Sequence, residues 1–371
     1  MKLTCDREKM LIAFQGAAAV APARSPKPIL QNIKLDARAD GGVVLATDLE
    51  VGIRIEVPGI EADASGSVVL PIARFGSILR ESSDAKLRLE TDGNGVVVRG
   101  EHSEFRLPAE NPAEFPAVSE FTEQKYHVVP ARLLSQIIRR TTFATDNESS
   151  RYALGGVLLE LTADKITAVG TDGRRLAMME APAQSVGGHV TGDNMTIVPT
   201  RSMHLIDKVL TEPDAEIHIA TRANELLVKT PRATLYSRLV EGRFPKWRDV
   251  FPKRPDAVRI EIAVGPLHSA VRQAAIVTSE ESRGVDFTFG DGKLVLSGRA
   301  PELGQSRVEL PVAYDGPAVS ISLDPRFFND FLKVLESEKT FTLELKDAES
   351  AAVCHTDDGY SYVIMPLARD R

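Results

Sequence analysis

The side chains that could do acid–base chemistry in this chain are few and scattered. Asp48 and Asp172 each follow a threonine, in Thr47-Asp48 and Thr171-Asp172, and two carboxylates are the minimum kit for acid–base hydrolysis. His127, His204 and His268 are the candidate bases. Nothing completes either constellation. The chain has no nucleophile motif, no glycine-rich phosphate loop, no HExxH and no CxxC. Gly170-Thr171-Asp172-Gly173 follows an apolar run but lacks the GxGxxG spacing. Cys5 and Cys354 supply neither a disulfide framework nor metal-ligand spacing. The repeated Asp reads more simply as a turn residue. No catalytic residue, cofactor or metal site is expected.

Positive charge is the more telling pattern. The net charge of −7 argues by itself against a nucleic-acid binder, but the basic residues gather on helical faces. In a pattern starting at Pro130, Arg132, Gln136, Arg139 and Arg140 fall at i, i+4, i+7 and i+8, opposite the apolar Leu133, Leu134, Ile137 and Ile138. A second carries Arg201, His204 and Lys208 beside Asp207. Others carry Arg326, Asn329, Asp330 and Lys333, or Arg74 and Arg80. Acidic residues crowd into turns: Glu61-Ala62-Asp63, Glu212-Pro213-Asp214 and Asp347-Ala348-Glu349. One basic surface on a net-negative chain follows if these helices share a face. The alternative is that each face is simply solvated.

The elements that hold these faces recur three times. Asn32–Asp48, Gly156–Asp172 and Val285–Gly298 each read strand, polar turn, strand. A helical pattern precedes each: Asp6 caps the first, with apolar Met10, Leu11, Phe14 and Ala18. Pro130 occupies the first turn of the second, and Pro266 begins the third. A strand running into a helix follows each, from Ser67, Met195 and Val319. A further strand pair closes each pass: Lys86–Glu90 with Gly95–Arg99, Glu216–Ala220 with Glu225–Lys229, and Thr340–Leu345 with Ala351–His355. Boundaries fall in turn-rich sequence near Phe121–Glu123 and Lys253–Asp256, giving segments 1–122, 123–254 and 255–371. Two helices and several antiparallel strands per segment make the class α+β.

The chain is 371 residues long and 43% hydrophobic, enough for sizeable cores. No run of 18 apolar residues exists, and MKLTCDREKM has no signal-type apolar core. A cytoplasmic protein is expected.

The central stretch RYALGGVLLELTADKITAVGTDGRRL, Arg151 to Leu176, carries the most specific motifs, Arg151-Tyr152 with Leu154 and Gly170 through Ala177. With Pro28-Ile29-Leu30-Gln31-Asn32-Ile33, Glu241-Gly242-Arg243-Phe244-Pro245 and the terminal Met365-Pro366-Leu367, it resembles the bacterial replicative sliding clamp, the beta subunit of DNA polymerase III. The resemblance runs end to end. It implies three clamp-type domains, each with two helices packed on antiparallel sheets, and a head-to-tail homodimer closed into a ring around double-stranded DNA. The implied function is processivity in DNA replication: a non-catalytic ring that holds DNA of any sequence and tethers the replicative polymerase, the clamp loader and other proteins carrying a short clamp-binding peptide. Lysine and arginine against phosphates bind without reading bases, so such a ring slides.

Carried over residue by residue, the resemblance implies a partner-peptide pocket of Arg151, Leu154, Thr171, Gly173, Arg174, Arg175, Leu176, Pro245, Val250, Val363, Ile364, Met365, Pro366 and Leu367. It implies DNA contacts at Arg24, Arg74, Tyr152 and Arg201; Lys27 and Arg139 join them from the charge pattern. It implies a dimer interface of Phe105 and Leu107 against Ile276 and Val277 of the other copy. Glu104-Phe105-Arg106-Leu107 alternates as an edge strand would, and an edge needs a partner; the alternative is that Phe105 and Leu107 face their own core. Three departures stand out: Asp249 where the family often has a basic residue, Ala153 where a second aromatic is common, and a tail, Ala368–Arg371, running past the usual end.

Overall fold

The computed structural model describes residues 1–93, 95–146, 153–192, 194–251, 256–279 and 283–367. Its strand pairs are antiparallel, and its described residues hold six α-helices: α1 (Arg7–Ala18), α2 (Ile72–Glu81), α3 (Ala131–Thr141), α4 (Thr200–Val209), α5 (Val264–Ala274) and α6 (Pro325–Lys333). Helix starts follow local chemistry. Asp6 accepts the Lys9 N–H at 3.0 Å to cap α1, and Asp324 accepts the Arg326 N–H at 3.0 Å to cap α6. Pro130 closes the strand Tyr126–Pro130, and α3 begins one residue later, because the fixed φ of proline suits both states. Likewise α5 begins two residues before Pro266.

The chain divides into two compact units. The first comprises Met1–Leu134, Ala183–Thr191 and Arg201–Leu239; the second comprises Ser135–Pro182, Gly192–Thr200 and Val240–Arg371. These are not the three repeat segments, and the strand pairing gives the reason. In the first unit a nine-stranded sheet runs in the order Gln184–Val186, Tyr126–Pro130, Glu216–Arg222, Glu225–Lys229, Ala233–Arg238, Val51–Val57, Gly41–Thr47, Asn32–Arg38, Gly66–Pro71. Ala233–Arg238 pairs directly with Val51–Val57, Ala233 opposite Ile55, so strands of the first and second repeats form one sheet. A five-stranded sheet carries Glu104–Pro108 at one edge. Helices α1 and α2 meet through Phe14 and Phe75, ring centres 5.1 Å apart and edge to face.

In the second unit an eight-stranded sheet repeats the device. Arg175–Pro182 pairs with Tyr360–Ile364, Leu176 opposite Val363 and Met179 opposite Tyr360. A four-stranded sheet, Gly304–Pro311, Lys293–Ala300, Val285–Gly290 and Val319–Leu323, completes it. Its core is aromatic. Phe331 stacks on Tyr362 at 5.1 Å and meets Phe341 edge to face at 5.2 Å, all at most 2% exposed. Burying each such ring contributes roughly 1.5–3 kcal/mol.

Candidate functional site

The turn between Thr171 and Arg175 shows what the repeated Thr-Asp pair is for. Asp172 Oδ1 accepts the N–H groups of Arg174 and Arg175, both at 2.9 Å. Thr171 Oγ1 donates to Arg175 O at 2.6 Å and accepts the Gly173 N–H at 3.1 Å. Gly173 sits at φ 83°, which its missing Cβ allows. Thr47-Asp48 builds the same turn in the first unit: Asp48 Oδ1 accepts Glu50 N at 3.0 Å and Val51 N at 2.7 Å. Both carboxylates are turn anchors.

That turn delivers Leu176 to an apolar cluster. Leu154, Leu176 and Val363 are at most 5% exposed, and Leu176 and Val363 share the cluster with Ala153, Leu158, Val169, Phe244 and Trp247. Ala153, which stands where an aromatic was looked for, is buried here. Met365 and Val250 stand 45% and 37% exposed, apolar groups facing solvent close in sequence to the cluster residues Val363 and Trp247. The strand Tyr360–Ile364 ends before Met365. Val363 and Ile364 are buried within this strand, whereas Met365, Pro366 and Leu367 lie beyond it, held by Met365 N donating to Arg174 O (2.9 Å) and Leu367 N to Ser322 O (2.9 Å). Pro245 is half-buried, beside the fully packed Phe244.

Arg174 is exposed, whereas the Arg175 guanidinium is already committed. It donates to Asp172 Oδ2 (3.1 Å), Asp330 Oδ2 (2.8 Å) and Phe143 O (2.7 Å) and lies 4.5 Å from the Phe327 ring centre. Trp247, invisible as a site residue in sequence, anchors the short helix Trp247–Val250. Its Nε1 donates to Glu160 Oε1 at 3.2 Å. Arg248 bonds both oxygens of Glu160 and stacks 4.2 Å from the indole. Arg248 is thereby drawn onto Glu160, and Asp249 stands exposed beside Val250.

Among the DNA candidates, Arg24, Lys27, Arg74 and Arg139 are exposed. Arg201 is half-exposed, ion-paired with Asp48 and bonded to Val20 O at 3.0 Å. The expected basic face of α3 needs one correction. Arg140 is 7% exposed. Its guanidinium lies 5.1 Å from the Tyr360 ring centre and donates to Asp358 Oδ2 at 2.7 Å, so it is a core cation. Arg132 on the same helix is exposed and reaches Asp214 at 3.5 Å. On the edge strand Glu104–Pro108, Phe105 and Leu107 lie two residues apart and so on one face; Leu107 is covered, 7% exposed, and Phe105 is left 39% exposed. Ile276 is 76% exposed and Val277 half-buried. Arg151, Tyr152 and Ala368–Arg371 lie outside the described residues.

The candidate bases find other roles. His127 is fully buried with Nδ1 2.7 Å from Nδ1 of His189. Thr221 N–H points at His189 Nε2 (3.2 Å), so that nitrogen accepts and the ring proton sits on Nδ1, shared with His127. Burial, then the neighbouring His127, holds the His189 pKa below its ordinary value. His204 is exposed and His268 half-buried. Burial pushes the Cys5 thiol up to about 12, too high for a nucleophile. No cluster of metal-ligating side chains exists among the described residues.

Comparison with known proteins gives this geometry its family. Models of the N-terminal, central and C-terminal domains of the DNA polymerase III beta subunit match residues 1–119, 128–246 and 248–368. A Pseudomonas putida beta sliding clamp is 30% identical over 375 residues, covering 99% of this chain and 100% of that protein. The chain belongs to the bacterial beta sliding clamp family. The beta sliding clamp of Escherichia coli K12 is 28% identical over 99% of this chain and all of its own length. A crystal structure of the Pseudomonas aeruginosa clamp bound to griselimycin matches with a TM-score of 0.92 at 28% identity, each chain covered in full. The α+β architecture of three clamp domains and the role of a DNA sliding clamp of DNA polymerase III, a non-catalytic subunit, follow from this membership.

Proposed function

We propose that two copies of this chain close head to tail into a ring around duplex DNA, and that each copy docks the short peptides of the polymerase, the clamp loader and other partners. The observation that carries the docking part is the apolar cluster that joins Leu176, Val363 and Trp247, with the exposed Met365 and Val250 two and three residues further along the chain from Val363 and Trp247. A few buried anchors of this kind dominate peptide affinity. Leu154, Thr171, Gly173, Pro245, Ile364, Pro366 and Leu367 shape the same pocket, with Arg151, Arg174 and Arg175 as its basic members. Arg24, Lys27, Arg74, Arg139, Tyr152 and Arg201 face phosphates, and Phe105 and Leu107 meet Ile276 and Val277 of the second copy. Repeat boundaries fall at 122/123 and 254/255. No helix among the described residues is long and apolar enough to cross a membrane; the work on DNA is placed in the cytoplasm.

The deciding experiment is titration of a labelled peptide with leucine and phenylalanine anchors against the full chain and against chains lacking Met365–Arg371 or Ala368–Arg371. Losing Met365–Leu367 removes one apolar wall, and affinity falls by about tenfold or more, since roughly 1.4 kcal/mol is one decade. The shorter truncation binds as the full chain does. Full-strength binding by the folded longer truncation overturns the pocket. A sedimentation mass of one chain at micromolar concentration overturns the ring.

A further inference from the structure

The two strand seams correspond in register, and one place breaks the correspondence. In the second unit the Thr171–Arg175 turn leads to Met179, which pairs with Tyr360, and Glu180 N donates to Gly359 O at 3.0 Å. In the first unit the Thr47–Val51 turn leads to Ile55, which pairs with Ala233, and Glu56 N donates to Arg232 O at 2.8 Å. The flanking helices correspond too. Arg140 on α3 lies against Met179, Nη1 to Sδ 3.9 Å. Gly16 on α1 lies against Ile55, whose Cδ1 is 2.7 Å from where a Cβ on Gly16 would sit.

The second unit plugs this place with its own side chains. Tyr360 is fully buried, its hydroxyl donating to Arg140 O at 2.9 Å, and the Arg140 guanidinium covers its ring. In the first unit Gly16 and Ala233 stand where Arg140 and Tyr360 would be. What remains is a cleft of ≈ 160 Å³ lined by Ile12, Ala13, Ile55, Ile217 and Pro231. Ile12, on the open side of α1, is 68% exposed. An apolar cavity of about 150 Å³ takes a benzene ring. Lys9 and Lys208 also line the cleft, both exposed and without a carboxylate partner among the described residues. Of the two lining carboxylates, Glu212 is held by Arg232 at 3.6 Å, leaving Glu56 against the two ammonium groups.

We propose that this cleft is a second docking site, built to receive a tyrosine side chain from an acidic segment of a partner protein. The ring takes the place that Tyr360 fills in the second unit. Its hydroxyl donates to the Gly16 carbonyl, as the hydroxyl of Tyr360 does to that of Arg140. Flanking carboxylates meet Lys9 and Lys208. None of these residues belongs to the pocket around Leu176, so the site stands whatever becomes of that pocket.

The test uses the full chain with isoleucine methyls labelled for NMR and the probe acetyl-Asp-Tyr-Asp-amide. Saturable shifts at the Ile12 and Ile55 methyls are expected, lost when alanine replaces the probe's tyrosine. Ala233→Tyr, which restores the plug, weakens binding by about tenfold or more, roughly 1.4 kcal/mol. If that variant misfolds, the smaller filling of Ala233→Leu must still weaken it. Lys9→Glu with Lys208→Glu weakens the acidic probe but leaves acetyl-tyrosinamide unaffected. The proposal is overturned by absence of shifts at millimolar probe, by shifts confined to Ile364, by equal binding of the alanine probe, or by unchanged binding in a folded Ala233 variant.

Discussion

Beside the two seams lie two versions of one place, and they differ by a pair of side chains. In the second unit Arg140 and Tyr360 fill it; in the first, Gly16 and Ala233 leave it open. The turns, strand registers and helix positions around the two are alike, so backbone did not decide the outcome. Side-chain volume did. A repeated fold can hold its frame constant and convert one copy's core into another copy's surface by exchanging a few residues, because sheet pairing fixes where those residues stand.

Three substitutions sharpen or break that contrast, and Tyr360→Ala has the largest expected effect. It empties a fully buried aromatic position and strands Arg140, with an expected loss of about 3–5 kcal/mol by urea unfolding. A loss below about 1 kcal/mol would mean that the plug carries no core role.

The second is Asp358→Asn. Burial pushes the Asp358 pKa up, but the Thr356 hydroxyl and the Arg140 guanidinium outweigh it and hold the pKa below the usual carboxylate range. A depressed folded pKa contributes stability that is full above the unfolded value, about 4, and fades as pH falls through the folded value. At neutral pH the variant loses about 1–2 kcal/mol, reduced because Asp358 is 44% exposed. The gap between variant and parent closes toward pH 3; a gap that stays constant from pH 7 to pH 3 would remove Asp358 as its source.

Ala233→Leu is the smallest. It fills the open version with apolar volume and raises stability by about 0.5–1 kcal/mol, read as a rise in Tm. A fall would show that the cleft is already packed.

The hairpins were legible in sequence because each is local: alternating apolar residues and an Asp-anchored turn lie within one stretch, as at Thr171–Arg175. The Asp6 cap was legible for the same reason. Other features needed information from far along the chain. Arg140 reads as one more solvated cation, because arginine is seldom buried without a partner, and its partners Asp358 and Tyr360 lie 218 and 220 residues away. The pairing of Val51–Val57 with Ala233–Arg238 was not legible, since nothing local to either segment specifies it. For the pocket, the apolar residues were readable as types. That Val363 is buried while Met365 stands exposed depended on where the strand ends, at Ile364.

The seams also set a timetable for synthesis. As the chain emerges, Val51–Val57 has its partner Gly41–Thr47 on one side at once, but its other edge stays bare until Ala233–Arg238 has been made. Arg175–Pro182 waits in the same way for Tyr360–Ile364, far later in the chain. A strand with an unpaired edge recruits other chains. The nascent protein therefore passes through two sticky intervals, and cutting it into its three repeats would make both of them permanent.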